Sequence, residues 1–378
     1  MTKKSSWVLI ILFLAFIYSF FIINIVKPDI KFSEQENREL TQLPEFSFES
    51  LFTGKYTSKY ETYTTDQFAF RDSWTTMKAA CELAIGKKEN KGVYLCKEDI
   101  LAEKYTAPKA DTLKTNIDAV KSLSEKAGVP VYLALIPGLS QIRSDVLPKY
   151  APTDSQLKVI DYCYKNSGAV NIDMASALSS HKDEYIFYRT DHHWTSRGAY
   201  YGYKTIMEAM GGSVPSLESY EPRQVSDSFY GTIYSKSGMS WVKPDTMDIF
   251  VPQEATTQVL NYSSGEAEAG TLYDYAFLEK KDKYSMFMGG ITPLLKITTG
   301  AEAAPSLLIL RDSFADSLVP FMQEDFSEIH VMDLRYYKTQ LVDSTVADYI
   351  KANGIDRVLI CYSAATFGSD ANVFLMGE

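Results

Sequence analysis

The sequence predicts an α/β protein whose parallel sheet is covered by helices on both faces, preceded by one membrane-crossing helix and interrupted by one irregular or β-containing segment. Three observations carry this. The clearest strand candidate, Val129 to Ile136, is a continuous apolar run that closes on Pro137-Gly138. Stretches with helical spacing alternate with such runs, the pattern of strands buried on both sides. The N-terminus holds a 20-residue stretch, Trp7 to Val26, without a charge.

That stretch is justified first. At about 1.5 Å per residue it spans roughly 30 Å, the thickness of a bilayer's hydrocarbon core. Lys3 and Lys4 precede it, and Lys27, Pro28, Asp29, Lys31, Glu34 and Glu36 follow. The positive-inside rule then places the N-terminus in the cytoplasm and the remainder outside, a single-pass cell-membrane protein with an extracellular domain. A cleaved signal peptide would need a shorter apolar core and a small-residue exit, which Phe20 to Val26 lacks.

The expected organisation is a tail and signal anchor over 1–26, a connector with a helical extension over 27–110, and a catalytic domain over 111–378 interrupted at about 213–300. Aromatic and apolar residues from Leu51 to Leu83 recur at helical spacing. Gly92 to Cys96 reads as a strand. Thr112 to Ala127 reads as a helix ending at Gly128, Asp154 to Asn166 as another, and Ala169 to Ile172 as a strand. Thr195 is placed to cap a helix over 196–210. Ser306 to Leu310, Ile329 to Leu334 and Val358 to Tyr362 read as strands, with a helix over Thr345 to Asn353 between the last two.

Composition narrows function. Hydrophobic residues make up 46% and charged residues 23%, so the chain can bury a core and is not disordered. The formal charge of −10, with acidic residues dispersed, disfavours nucleic acid as a partner and suits a neutral ligand such as a polysaccharide. Cys81, Cys96, Cys163 and Cys361 form no C-x-x-C pair and suggest no disulfide framework.

Chemistry concentrates in Tyr188 to Gly198. The chain has four histidines, and two are adjacent in Asp191-His192-His193-Trp194, just before a helix start. A carboxylate can orient an imidazole and stabilise its protonated form, as a general base requires. The plainer alternative is a turn capped by Asp191 with the histidines packed on Trp194. A metal centre would need a third or fourth ligand at recognisable spacing, which the sequence does not supply, so no metal is expected. A nucleophile is offered by Ser313, in Asp312-Ser313-Phe314 directly after an apolar strand and before a helix expected to run through Phe321. A serine at such a turn can project its hydroxyl and use its own N–H for an oxyanion, although Asp312 or Ser313 can equally be a helix cap.

With these residues the chain resembles the bacterial DHHW family, and its Asp-x-His-Trp element is similar to that of the alginate O-acetylation proteins of the SGNH-hydrolase-like group. Asn37-Arg-Glu-Leu40, Asp66-Gln-Phe68, Phe70-Arg-Asp72 and Tyr230 to Gly238 look like family elements too. The resemblance implies an SGNH-hydrolase-like fold and a catalytic set of Asp191, His193 and Ser313, in a chain order rearranged from ordinary SGNH hydrolases. His192 and Trp194 then support the site. Arg311 stands where the ordinary motif has Gly, and the usual oxyanion Asn has no evident counterpart; Gly289, Gly290 or Arg335 are the candidate replacements. The implied activity is O-acetylation of an extracellular or cell-wall polysaccharide through an acyl-serine, without a cofactor. A multi-spanning membrane acyltransferase would supply the acetyl group. An acetylesterase using the same triad, or a non-enzymatic polysaccharide-binding surface protein, are the alternatives.

Overall fold

Runs such as Leu307-Leu-Ile-Leu310 have no polar face, so they form strands only where both sides of a sheet are covered. In the computed structural model, which describes residues 3–338 and 344–378, they do so. The chain divides into two units, residues 1–90 with 234–241, and residues 91–233 with 242–378.

The first unit begins with α1 (Lys3–Val26), followed by α2 (Phe48–Phe52), α3 (Lys55–Asp66) and α4 (Arg71–Ala84). Ser47 caps α2 through a reciprocal box with Ser50. Ser6–Val26 within α1 is long and apolar enough to cross a membrane. The segments singled out around Arg38, Asp66 and Arg71 meet in an ionic cluster. Arg38 pairs with Asp66 at 2.5 Å and with Glu36 at 2.8 Å, and Arg71 reaches Glu36 at 2.5 Å. Asp66 also accepts the Thr41 N–H. The hydrogen bonds from Arg38 hold the Asp66 carboxyl well below the usual carboxylate range, against the opposing effect of burial.

The second unit is three-layered. Its sheet comprises β1 (Val131–Ile136), β2 (Val170–Ile172), β3 (Gln258–Asn261), β4 (Glu268–Ala269), β5 (Leu294–Thr298), β6 (Leu307–Arg311), β7 (Glu328–Met332) and β8 (Arg357–Ser363). The order is β4-β3-β5-β7-β6-β8-β1-β2. The five strands from β7 to β2 run parallel. Alternate residues feed two cores. Leu307 and Ile309 join the layer that contains Met174, Tyr200 and Ile206, while Leu308 and Leu310 join Ile117, Ile160, Ile350 and Phe367 on the opposite face. The latter come from α5 (Ala110–Lys126), α6 (Gln156–Asn166), a helix over Val346–Ala352 and one over Ala364–Ser369. Each fully buried Leu or Ile contributes about 1.5–3 kcal/mol, so Leu310→Ala strikes at the sheet's centre.

Two expectations change in the structure. The sheet expected to be parallel is mixed: the segment over 213–300, read as irregular or β-containing, does hold strands, and its later part supplies β3, β4 and β5, which join antiparallel. β5 is hard to read from sequence because Lys296 breaks its apolar run; that Nζ bonds Asn353 Oδ1 at 2.9 Å. The continuous helix expected after Ser313 is instead two 3₁₀ turns, Ser313–Ala315 and Val319–Glu324. Pro320 explains the break, since it has no N–H to donate to the Asp316 carbonyl and its ring crowds that carbonyl.

Candidate active site

In a parallel sheet, loops beyond the carboxyl ends of the strands collect functional side chains. β6 delivers Arg311, then Asp312 and Ser313. Asp312 caps the turn by accepting the Phe314 N–H at 3.0 Å, and its other oxygen accepts Ser363 N–H at 2.9 Å, at the end of β8. One carboxylate thus ties the Ser313 turn to the neighbouring strand end.

The other half of the site precedes the helix over Ser196–Ala209, which Thr195 caps by accepting the Gly198 N–H. Two glycines one turn apart make room for the Trp194 indole. A Cβ at Gly198 would lie 2.9 Å from Trp194 Cβ, and one at Gly202 would lie 2.7 Å from Trp194 Cη2. The fully buried indole donates to Phe314 O at 2.9 Å and Ser317 Oγ at 3.0 Å, so it fastens the histidine loop to the serine turn. Asp245 shapes the loop from below, accepting the N–H groups of Arg189 and Thr190, the Thr190 hydroxyl and the Tyr185 hydroxyl.

These elements bring Asp191, His193 and Ser313 into one chain of hydrogen bonds. His193 Nδ1 lies 2.6 Å from Asp191 Oδ1, and His193 Nε2 lies 2.7 Å from Ser313 Oγ. With Nδ1–H donating to the carboxylate, Nε2 is left to accept the serine proton. Asp191 is 1% exposed and accepts three further hydrogen bonds: His193 N–H at 3.0 Å, Thr232 N–H at 2.7 Å and the Thr232 hydroxyl at 2.9 Å. Burial alone would raise this carboxyl. The two imidazoles and the bonds from His193 and Thr232 outweigh it and hold Asp191 well below the carboxylate range. For His193, burial and the neighbouring His192 dominate over Asp191, and its pKa falls below the ordinary imidazole value. The imidazole is therefore neutral and able to accept a proton at neutral pH.

His192 occupies a different place. Its Nδ1 is 2.7 Å from the Thr232 hydroxyl, its ring packs on His193 with centroids 3.8 Å apart, and its side chain is 38% exposed. Metal-ligating atoms of Asp191, His192 and His193 lie within 4.8 Å of one another. A cation there would have to displace the bonds from His193 to Asp191 and Ser313.

Three residues escape sequence reasoning. Tyr284 stacks flat on His193, centroids 3.7 Å apart, and its hydroxyl donates to Ser313 O at 3.0 Å. Thr232 and Gly231 close over Asp191, 41 residues away in sequence for Thr232. The segment Tyr230 to Gly238 is conspicuous in the sequence, but nothing there pairs it with Asp191.

Among the residues considered for an oxyanion pocket, Gly290 and Arg335 make hydrogen bonds of their own. Gly289 and Gly290 are left-handed, at φ +74° and +85°, in a turn where Gly290 N–H donates to Phe287 O. Arg335 is committed to Asp333, at 2.6 Å. Arg311 is likewise engaged elsewhere: 1% exposed, it lies 3.0 Å from Asp316 and 3.7 Å from Asp333. Burial, with Asp333 and Asp312 nearby, pushes the Asp316 carboxyl up to about 8 although Arg311 opposes the shift. Beside the site lies a cavity of about 320 Å³, lined by His192 and Phe314 and by Gly138, Ser140, Tyr105 and Ser363.

Comparison with known proteins identifies a family and a shared fold. The DHHW protein family model matches residues 102–332. The crystal structure of a DHHW family protein from Eubacterium siraeum is 26% identical, with a TM-score of 0.64 over 76% of this chain and 95% of that one. PatB1 of Bacillus cereus, solved with a sulfonyl adduct, shares the fold at 21% identity and a TM-score of 0.59, covering 73% of this chain and 97% of that one. A probable alginate O-acetylase, AlgJ, of Pseudomonas syringae pv. tomato is 26% identical over 189 residues, 46% of this chain. The chain spans about half the length, 47%, of that curated relative. On a family match extending over more than half its length, the chain belongs to the DHHW protein family.

Proposed function

We propose that the second unit is an SGNH-type serine acyltransferase that O-acetylates an extracellular or cell-wall polysaccharide. The observation that carries the reading is the relay Asp191–His193–Ser313, with contacts of 2.6 and 2.7 Å at the carboxyl end of β6. A serine hydroxyl is a weak nucleophile until a base takes its proton, and His193 Nε2 is within reach to do so. Ser313 Oγ attacks the acetyl carbonyl while its proton passes to His193. The tetrahedral intermediate collapses, His193 returns that proton to the leaving oxygen, and the acetyl group remains on Ser313. A sugar hydroxyl then attacks, giving its proton to His193, which restores it to Ser313 Oγ. The Ser313 N–H is the proposed oxyanion donor.

The likeness to a probable alginate O-acetylase supports a polysaccharide acceptor. An acetyl donor outside the membrane calls for a multi-spanning acyltransferase as partner, beside a single-pass anchor formed by Ser6–Val26 with the N-terminus in the cytoplasm. Ser313 is only partly buried, so water can reach it, which favours the acetylesterase as the second reading. The test is to incubate the full chain with a chromogenic acetyl ester, with and without oligosaccharides, and to identify products by mass spectrometry. Acetylated oligosaccharide is expected. Free acetate alone would transfer the assignment to the esterase, and no turnover by folded protein would overturn both.

A further inference from the structure

The Phe68-Ala69-Phe70 turn is one part of the first unit that the acyl-transfer reading does not use. Phe68 is 42% and Phe70 60% exposed, and Phe70 adopts φ +58°, a left-handed conformation uncommon for a bulky residue. A strained backbone that presents an aromatic ring outward needs a reason.

The turn is bolted to the end of α1. Ala69 N–H donates to Asn24 Oδ1 at 2.8 Å, and Lys27 Nζ donates to Gln67 O at 3.0 Å. Gln67 also bonds both Ile30 N–H and Ile30 O at 2.9 Å. Below these bonds, Phe20 of α1 packs against three rings of the turn and α4: Phe68, Phe70 and Trp74, with centroids 5.9, 6.2 and 5.8 Å away.

Depth follows from helix geometry. Phe20 lies six residues inside the Val26 end, about 9 Å at 1.5 Å per residue. The apolar stretch Ser6–Val26 has 21 residues, and a helix needs about 20 to cross the hydrocarbon, so little of it can stand clear of the membrane. Rings that touch Phe20 are then at hydrocarbon depth. Backbone at that depth must be satisfied internally. Ala69 meets the condition: its N–H goes to Asn24, and its carbonyl accepts the Trp74 Nε1–H at 3.1 Å. The adjacent cation is neutralised too, since Arg71 pairs with Glu36.

We propose that the Phe68–Phe70 turn is a second membrane contact, its two phenyl rings seated among the lipid acyl chains beside the span. The turn and α1 together then make a two-point attachment, which limits how the first unit can tilt on the bilayer. This rests on the reading of Ser6–Val26 as a membrane span, and the test separates the two.

The full chain carrying Cys81→Ser, the exposed thiol, leaves only buried cysteines. Into it Phe70→Cys, Phe68→Cys or Ile17→Cys is introduced, labelled with an environment-sensitive NBD fluorophore, and reconstituted in phosphatidylcholine vesicles. Ile17 lies in mid-span and reports on the span alone; Phe68 serves if Phe70→Cys does not fold. The expected result is quenching of the probes at 68 and 70 by brominated acyl chains to an extent comparable with Ile17, and protection from aqueous iodide. Iodide quenching at 68 and 70 with lipid quenching at 17 would overturn the membrane contact and leave the span intact. Protection from both quenchers would overturn it as well, because protein would then cover the turn. Iodide quenching at all three would overturn the span reading.

Discussion

Asp191→Asn probes the relay at the point where the structure makes the sharpest demand. The carboxylate accepts four hydrogen bonds, two on the His193 side and two from Thr232. An amide offers one acceptor and one donor. If its NH₂ faces Thr232, it meets an N–H and a hydroxyl already oriented to donate. If it faces His193, it favours the tautomer with the proton on Nε2, which leaves Ser313 without a base. Either outcome misaligns one bond or removes the general base, and the loss of correct tautomer in such a site costs about 10⁴ in kcat, roughly 5.5 kcal/mol at 1.36 kcal/mol per decade. A hydrogen bond to a charged group contributes about 1.5–3 kcal/mol, so stability should fall by an amount of that order. The assay is kcat for a chromogenic acetyl ester, with thermal denaturation alongside. A folded Asp191→Asn protein within tenfold of wild-type kcat would refute the assignment of Asp191.

Two further outcomes follow from the same geometry. A Cβ at Gly231 would stand 2.2 Å from Asp191 Cβ and 2.3 Å from its Oδ2, so Gly231→Ala should dislodge the carboxylate; overpacking of this kind costs about 1–3 kcal/mol, read by denaturant titration, with kcat falling more than KM rises. The buried His193 is held below the ordinary imidazole value, so the acid limb of kcat/KM should lie below about pH 6.5. For stability the sign is fixed by proton count: the unfolded chain binds a proton at this residue below about pH 6.5 while the fold does not, so stability falls as pH drops through that window. Thermal melts against pH should show a shallower acid slope for His193→Gln than for wild type.

Much of this arrangement can be read from local chemistry. Leu307 to Leu310 and Val358 to Tyr362 are apolar on both faces, which only a covered sheet tolerates, and Thr195 caps its helix as its place before the helical pattern suggests. Asp191, His193 and Ser313 are legible because a carboxylate, an imidazole pair and a serine after a strand are rare together. What stays hidden depends on contacts between distant segments. Tyr284 and Thr232 reach the relay only through the fold, and Tyr284 is one of 26 tyrosines. β5 carries a lysine in mid-strand, and its partner Asn353 is invisible until the sheet is assembled. The helix expected after Ser313 fails at Pro320, which cannot donate to the Asp316 carbonyl and outweighs the apolar pattern. Gly289, Gly290 and Arg335 enter only by analogy; Gly290 N–H bonds within a turn and Arg335 pairs with Asp333.

Acylation of Ser313 with His193 as its base is tested at the bond itself by covalent trapping. The full chain is treated with a serine-directed sulfonyl fluoride, digested, and mapped by mass spectrometry, beside Ser313→Ala and His193→Ala proteins. One stoichiometric adduct on Ser313 is expected, lost in Ser313→Ala and strongly slowed in His193→Ala, because the hydroxyl 2.7 Å from Nε2 is activated only while that base is present. An adduct on another residue such as Ser317, or full ester turnover by folded Ser313→Ala protein, would contradict it.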